Sequence, residues 1–239
     1  MPPPYNEQHY SVFANIPYVP QGAMGFVPNC WVRRFELENV PDSAALPTVQ
    51  LDRRAVKSVC RSPAHPVLFG YVCVMAWGLQ GKDSKTKNHV GHAWKERKAI
   101  KRKLEKLRSG GLTREDAYDL FCGKNKVKGL GPSYFTKLLY FFSPTPDFYI
   151  MDQWTGKSVN LLTGKRIVKI SCNKNGKGSP TPQNNSKNFR EFCEEVDHLA
   201  WLLGCTGEQI EERLFSRGSH PPVQWRAYVN KHCPPENQK

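Results

Sequence analysis

The segment Lys126-Val127-Lys128-Gly129-Leu130-Gly131-Pro132-Ser133 lies between two short helical patterns. Its two glycines permit a positive φ and a close approach of another backbone, so two helices can meet there in a tight hairpin. The amides that begin the second helix lack intrahelical acceptors and favour anions. Lys126 and Lys128 add positive charge beside them. The segment therefore predicts a phosphate-binding hairpin, although a plain glycine turn between helices has the same pattern.

A carboxylate follows the hairpin after an apolar stretch. Asp152 comes 21 residues after Gly131, directly behind Ile150-Met151, and a helical pattern begins after it. This placement is typical of an N-cap residue, whose side chain accepts hydrogen bonds from the first amides of a helix. Capping alone would explain an aspartate here, and so would a carboxylate held for chemistry.

Apolar spacing predicts a mainly helical chain around these two features. A buried helix is expected from Ser62-Pro63 to Gly78, followed by a polar loop of about a dozen residues. Further helices are expected at residues 92–108, after a capping box at 113–116, at 133–142, at 189–203 and from Thr206 to Phe215. The alternation of residues 31–37 predicts a short strand, and residues 165–170 fit a strand or a basic loop edge. The tail after His232 is expected to be disordered.

The charge of the chain points to a polyanionic partner. The net charge is +14, and the 92–108 pattern carries eight basic residues against two acidic ones. Such an excess repels itself unless nucleic acid neutralises it, so contact with the DNA backbone is favoured over a merely solvated face. A membrane-surface role would need a basic amphipathic helix with a bulky apolar face, a weaker signal here.

The cysteines and the hydropathy exclude several other classes. None of the eight cysteines forms a Cys-x-x-Cys pair, so we expect reduced core thiols, no metal and no cofactor. No run of 18 apolar residues predicts a membrane span. The sequence also lacks the pattern of a secretory signal, so we expect a cytoplasmic protein that associates with the bacterial nucleoid when it acts. We also expect it to be a monomer.

The hairpin glycines, the following helix and Asp152 together resemble the helix-hairpin-helix base-excision DNA glycosylases. The resemblance covers residues 112–162, and the stretch Met151 to Thr155 is similar to that of bacterial proteins with an 8-oxoguanine-glycosylase-like fold. It implies a mainly α, two-lobed fold with a DNA cleft between the lobes and a small irregular or β N-terminal region. The expected domains are an N-terminal extension (1–60), the helical glycosylase domain (61–232) and a flexible tail (233–239).

The resemblance also implies roles for individual residues. Asp152 would stabilise the positive charge that develops on the sugar as the N-glycosidic bond breaks, or position the attacking water. The target base would be flipped out of double-stranded DNA. Trp154 would line the base pocket, although packing in the core explains a tryptophan there equally well. The DNA-binding set comprises Lys126, Lys128, Gly129, Gly131, Ser133 and Lys137.

The sequence departs from the family at one position. Members that also cleave the strand carry a lysine two residues after the second hairpin glycine, whose amine forms a Schiff base with the sugar. Here that position is Ser133, which predicts a monofunctional enzyme that leaves an abasic site. Lys137 lies one helical turn further on, where it could reach the same face and act as a nucleophile, contact the backbone or simply be solvated.

The substrate does not follow from these residues. The resemblance suggests a lesion such as 8-oxoguanine, which would mean repair, whereas a hypermodified base of phage DNA would mean antiviral defence. Two other classes stay open: a non-catalytic helix-hairpin-helix DNA-binding protein, which would not need Asp152, and a basic RNA-binding protein. The second has little support, because no strands with interleaved aromatic residues are visible.

Overall fold

The computed structural model describes residues 5–78, 84–173, 178–216 and 224–233. Within these ranges the chain is mainly helical, as expected, and has one antiparallel pair of short strands. The helices are α1 (Glu7–Ala14), α2 (Pro28–Arg34), α3 (Arg53–Arg61), α4 (Val67–Gly78), α5 (Ser84–Lys95), α6 (Arg97–Ser109), α7 (Arg114–Asp119), α8 (Pro132–Phe142), α9 (Gln153–Thr163), α10 (Ser186–Leu203), α11 (Gly207–Phe215) and α12 (Gln224–His232). The strands are β1 (Ile170–Cys172) and β2 (Gly178–Pro180).

The chain divides into two compact units. The hairpin unit comprises residues 22–145, and the carboxylate unit comprises residues 1–21 and 146–239. Residues 22–60 thus pack within the hairpin unit rather than by themselves. The division into an extension, a glycosylase domain and a tail stays a prediction.

Helix α4 is the centre of the hairpin unit. All its residues from Val67 to Trp77 are buried, and α2, α3, α6 and α8 pack around it. Gly70 allows this packing, since a β-carbon there would lie 2.9 Å from the ring of Phe142. The apolar stripe of α6 (Ile100, Leu104 and Leu107) is buried as its spacing predicts. Burial of apolar surface at about 25 cal/mol per Å² stabilises this arrangement.

The N-terminal half of this unit differs from the prediction. The strand at residues 31–37 was wrong, because the segment forms most of α2, which has Pro28 in its first turn. Trp31 and Phe35 are four residues apart and bury their rings 5.2 Å from each other, which is a helical spacing that alternation conceals. Ser62 ends α3 rather than opening α4. Helix α3 was not predicted, because only Val56 and Cys60 mark its apolar face.

The region after α4 also contains more helix than the sequence suggested. The polar loop expected there lies partly outside the described residues (79–83), and from Ser84 the chain forms α5. The single helix expected at 92–108 is two helices, which meet at Glu96. Val90, Ala93 and Trp94 bury one face of α5, and lysines and histidines on its other faces masked that pattern.

Helix α9 is the centre of the carboxylate unit. Helices α1, α10, α11 and α12 and the two strands pack on it. Gly156 lies under Val168, where a β-carbon would come within 2.9 Å of the valine side chain. Trp225 donates from Nε1 to the Ser158 hydroxyl at 2.8 Å, which in turn donates to the Leu214 carbonyl. These contacts fix α9 and therefore fix the residue that caps it.

The C-terminal helices confirm their predicted signals. Helix α10 ends at Gly204, which has a φ of +61°, and Thr206 and Gln209 form the expected capping box of α11. Of the basic segment 165–170 only Ile170 lies in a strand. Helices α1 and α12 were not predicted, and residues 234–239 of the predicted tail lie outside the described residues.

No helix in the described part of the chain is long and apolar enough to cross a bilayer. All eight cysteines are free thiols, as predicted, and Cys60, Cys73 and Cys193 are buried in the core. The core position expected of the others was wrong, because Cys30 is exposed and four are half-buried: Cys122, Cys172, Cys205 and Cys233. Burial raises the pKa of Cys73 to about 12, so this thiol is unreactive at neutral pH.

Candidate active site and nucleic-acid interface

The two hairpin glycines meet different constraints. Gly129 has a φ of +90°, and a β-carbon there would lie 2.2 Å from the backbone oxygen of His89 in α5. Any other residue would therefore be strained and would overlap the backbone. Gly131 has a φ of −83°, and, apart from its neighbours in the chain, no heavy atom of the described residues lies within 4 Å of the place its β-carbon would take. The hairpin thus requires glycine at its first position and tolerates a side chain at its second.

Aromatic packing holds the two helices of the hairpin together. The Phe135 ring of α8 lies 4.8 Å from the ring of Tyr118 and stacks on that of Phe121 at 5.6 Å. Val127 and Leu130 are buried beneath the turn, and the Leu130 amide donates to the Val127 carbonyl. The turn is therefore a preorganised part of the core rather than a loose loop.

The first amides of α8 have no hydrogen-bond acceptor among the described residues. Gly131 occupies the N-cap without a side-chain hydrogen bond, and Pro132 follows at the first helical position. Among the hydrogen bonds of the described residues, none is donated by the amides of Gly131 or Ser133. Lys126 and Lys128 are exposed beside them. Partial positive charge, unpaired amides and two ammonium groups favour a phosphate here.

Lys103 supports the hairpin, although its helix had suggested backbone contact with DNA. Its ammonium donates to the carbonyls of Leu120 at 2.5 Å and Asn125 at 3.0 Å, both in the segment that leads to the turn. Desolvation, followed by the nearby charge of Arg102, lowers the pKa of Lys103, and Glu96 opposes the shift. This lysine therefore has a structural task within the unit.

Lys137 is a buried residue. Its side chain is 8% exposed, and its methylenes lie against Gly78, where a β-carbon would come 2.5 Å from Cδ. Its ammonium donates to the Ser133 carbonyl at 2.5 Å. Lys137 and Ser133 thus share one face of α8, as their spacing predicts. Its roles in DNA contact and as a nucleophile both stay predictions.

Asp152 is the N-cap of α9, as its position predicts. Its Oδ1 accepts hydrogen bonds from the amides of Trp154 at 2.7 Å and Thr155 at 3.1 Å. The Thr155 hydroxyl accepts from the Asp152 amide at 2.9 Å and donates to the Ile150 carbonyl, which completes a capping box. The side chain, 8% exposed, is held in one orientation at the positive end of the helix.

The two oxygens of this carboxylate have different surroundings. Every hydrogen bond that the Asp152 side chain makes within the described residues involves Oδ1. Oδ2 accepts no hydrogen bond from those residues. It is also not fully buried. The cap therefore orients the carboxylate through one oxygen and leaves the other for a ligand.

Trp154 lies beside Asp152 at the start of α9. Its half-buried ring lies under the guanidinium of Arg226, with the carbon at 4.6 Å from the centroid, and the Lys157 ammonium lies at 5.4 Å. Gln153 accepts a hydrogen bond from the Gly178 amide of β2. The ring is held by cations on α9 and α12. A base pocket and simple packing are both compatible with this position.

The structure thus assembles the predicted residues in two groups. Lys126, Lys128, Gly129, Gly131, Ser133 and Lys137 come together in the hairpin unit, and Asp152 comes together with Trp154 in the carboxylate unit. No group of three or more His, Cys, Asp or Glu residues that could hold a metal ion occurs in the described ranges.

The family model that describes "Putative 8-oxoguanine DNA glycosylase OGG-like protein" matches residues 17–215. The chain belongs to this family. Membership gives it a DNA-glycosylase-like function and implies that it binds DNA. The search of curated proteins and the search of solved structures gave no match. The OGG-like match spans both units and far exceeds the segment 112–162 on which the sequence resemblance depends.

The roles of three supporting residues of this OGG-like chain were not predicted from the sequence. Thr155 completes the cap of Asp152, and the D-x-x-T spacing could have indicated it. Glu96 accepts a hydrogen bond from the Lys128 amide at 3.1 Å. Arg226 covers Trp154 from 72 residues further along the chain. No local pattern signals the last two contacts.

Proposed function

We propose that this chain is a monofunctional DNA glycosylase whose chemistry depends on Asp152. The observation that carries the proposal is the asymmetric setting of this carboxylate, with Oδ1 held by two amides and Oδ2 left without a partner among the described residues. A fixed negative oxygen stabilises the oxocarbenium-like sugar as the base departs, and it can orient the water that attacks C1′. Because the orientation is set before substrate binds, little reorganisation is needed in the transition state.

In this proposal the hairpin binds the DNA backbone. A phosphodiester oxygen would accept hydrogen bonds from the amides of Gly131 and Ser133, and Lys126 and Lys128 would add attraction. These contacts read no base, so they position the duplex without selecting a sequence. The exposed basic side chains of α6, including Lys101 and Arg102, extend the positive surface of this unit.

A base inside the duplex cannot reach a carboxylate, so the nucleotide must be flipped out at a cost of about a few kcal/mol. We place Trp154 in the pocket that accepts the base, because its ring lies two residues from Asp152 and stays half-exposed. The family description favours an oxidised purine such as 8-oxoguanine as the substrate. A hypermodified base of phage DNA is the second candidate.

The monofunctional assignment follows from Ser133. A hydroxyl cannot form the Schiff base that strand cleavage by the lyase route requires. Lys137 is the nearest amine on that face of α8, and it is engaged with the Ser133 carbonyl. The product is then an intact strand with an abasic site, which breaks only on treatment with alkali.

Base release from defined duplexes tests the proposal. We expect the purified protein to release a free base, identified by mass spectrometry, from a duplex with 8-oxoguanine or from phage DNA with modified cytosines, and not from unmodified DNA. Strand breaks should appear only after alkali. Breaks without alkali that disappear in Lys137→Met would show a bifunctional enzyme instead.

A non-catalytic DNA-binding protein is the alternative function, because capping alone accounts for the position of Asp152. In that case the protein would bind any duplex tightly and Asp152→Asn would change nothing. The absence of base release from every substrate tested would then overturn the enzymatic assignment.

A further inference from the structure

Helix α5 lies directly against the turn of the hairpin. A β-carbon at Gly129 would come 2.2 Å from the carbonyl oxygen of His89 and 3.3 Å from the amide nitrogen of Ala93, so the turn passes over one side of α5. Where α5 meets α6, Oε1 of Glu96 accepts a hydrogen bond from the Lys128 amide at 3.1 Å. These contacts, which span about two turns of helix, fix α5 beside the hairpin.

The inner face of α5 is anchored in the core of the same unit. Val90, Ala93 and Trp94 are buried. Nε1 of Trp94 donates to the Glu38 carbonyl at 2.9 Å, and its ring stacks on that of Tyr71 with the centroids 6.0 Å apart. Because these contacts set the rotation of the helix about its axis, they also decide which residues α5 presents beside the hairpin.

Two histidines are presented there. His89 and His92 are three residues apart and therefore lie on one side of the helix, next to the side that the turn covers. His89 is exposed and His92 is half-buried. Within the described ranges, neither imidazole has a hydrogen-bond, ion-pair or ring partner. Their ring nitrogens are therefore available to a ligand, toward which an imidazole acts as a donor.

The charge around these histidines is one-sided. Helix α5 contains three lysines and no aspartate or glutamate, and Lys126 and Lys128 are exposed on the turn. The hairpin unit holds 22 of the 35 lysines and arginines of the chain but only 10 of its 21 acidic residues. Oε1 of Glu96 is engaged by the Lys128 amide. This surface therefore favours a polyanion, which for this chain is DNA.

We propose that this side of α5 is a second contact surface for the DNA backbone, where His89 and His92 bind a phosphate of the strand that the hairpin holds. An imidazole N–H donates to a phosphate oxygen as a backbone amide does. A short side chain on an anchored helix loses less conformational entropy on binding than a lysine. The histidines would therefore orient the duplex, whereas the lysines mainly attract it. This inference rests on the DNA binding of the proposed function and does not depend on the chemistry of Asp152.

The affinity of the whole chain for a labelled, unmodified duplex, measured by fluorescence anisotropy over a range of salt concentrations, tests this surface. His89→Glu should weaken binding about tenfold or more at low salt, because a carboxylate repels the phosphate. His89→Lys should tighten binding and steepen the salt dependence by about 0.9, the value for one added phosphate contact. His89 is exposed, so the fold should persist in both variants.

Ser58→Glu and Ser58→Lys are the matched controls. Ser58 is exposed on α3 of the same unit, so these variants make the same two charge changes on another helix. They should change the affinity less than about threefold and leave the salt dependence unchanged, since distant charges are screened.

The wild-type protein provides a second measurement that needs no variant. The imidazole NMR signals of His89 and His92 should shift as the duplex is added, and they should reach half of the full shift at the same duplex concentration. His65 is the internal reference in the same unit, because its ring stacks on that of Phe69 at 4.9 Å. Its signals should stay in place.

Three results would overturn the inference. Equal effects of the His89 and Ser58 variants on affinity and salt dependence would show that DNA senses only the net charge. Signals of His89 and His92 that stay unchanged while the duplex binds would exclude the contact. Self-association that disappears in His89→Glu would assign this side of α5 to a second copy of the chain.

Base release by the wild-type protein keeps this inference apart from the proposed function. Absence of base release from every substrate would overturn the chemistry of Asp152 and leave the binding results for α5 in force. Failure of the α5 tests alone would leave the roles of Asp152 and of the hairpin as proposed.

Discussion

Helices α8 and α9 begin in opposite ways. At α8 the N-cap is Gly131, which has no side chain to satisfy the first amides, and exposed lysines lie nearby. At α9 the N-cap is Asp152, whose own carboxylate occupies the first amides and is held there by Thr155. The same positive helix end therefore serves two purposes. Without a capping side chain, the helix end is open to an external phosphate. With an acidic capping side chain, it holds a carboxylate in one orientation.

The sharpest test of this contrast is Asp152→Asn. Asparagine caps a helix about as well as aspartate, so the free energy of unfolding should change by less than about 0.5 kcal/mol. Base release in a single turnover should fall about 1000-fold, or about 4 kcal/mol in activation free energy, with duplex affinity retained. Asp52→Asn is the matched control, since Asp52 caps α3 through the Ala55 amide. Equal activity of the two variants would remove Asp152 from the chemistry.

The second test compares the two hairpin glycines. Gly129→Ala must place a methyl group against the His89 carbonyl at a φ of +90°, and we expect a loss of about 3 kcal/mol in the free energy of unfolding. Gly131→Ala, at a φ of −83° in open space, should change it by less than about 1 kcal/mol. Urea denaturation measures both. Similar losses would contradict the close approach to His89.

A third, smaller effect concerns the lysines beside α8. Lys126→Gln/Lys128→Gln should weaken duplex binding about tenfold at low salt and reduce the salt slope by about two, because each lysine neutralises one phosphate. The rate of base release at saturating enzyme should stay the same. Lys187→Gln/Arg190→Gln controls for the loss of net charge. A changed rate with unchanged affinity would assign these lysines to the chemistry rather than to binding.

The smallest expected effect is that of Lys103→Met. The carbonyls of Leu120 and Asn125 lose their donor, which should cost about 1 kcal/mol. Since the pKa of Lys103 lies below the 10.5 of an unfolded lysine, the unfolded chain holds the proton more tightly, and stability rises as the pH increases toward 10.5. Urea denaturation at pH 8 and pH 10 should show this rise reduced in the variant. An unchanged difference would exclude a desolvated ammonium there.

Much of the candidate site was readable from the sequence because its signals are local. A glycine pair between helical patterns and an aspartate before an apolar periodicity each depend on residues within one or two turns. The hairpin and the Asp152 cap follow from these. By contrast, α1, α3, α5 and α12 have few apolar residues on a single face, and their helicity comes from the surface against which that face packs.

The sequence by itself determined the helical class, the hairpin and the capping aspartate. It also showed that position 133 is a serine and not the lysine of strand-cleaving glycosylases. Only the tertiary structure decided that Gly129 is the constrained glycine, that Lys103 serves the hairpin and that Arg226 covers Trp154. The physical reason is range: backbone conformation and caps are set by neighbours in the chain, whereas close approach, desolvation and charge clustering are set by residues that are distant in sequence.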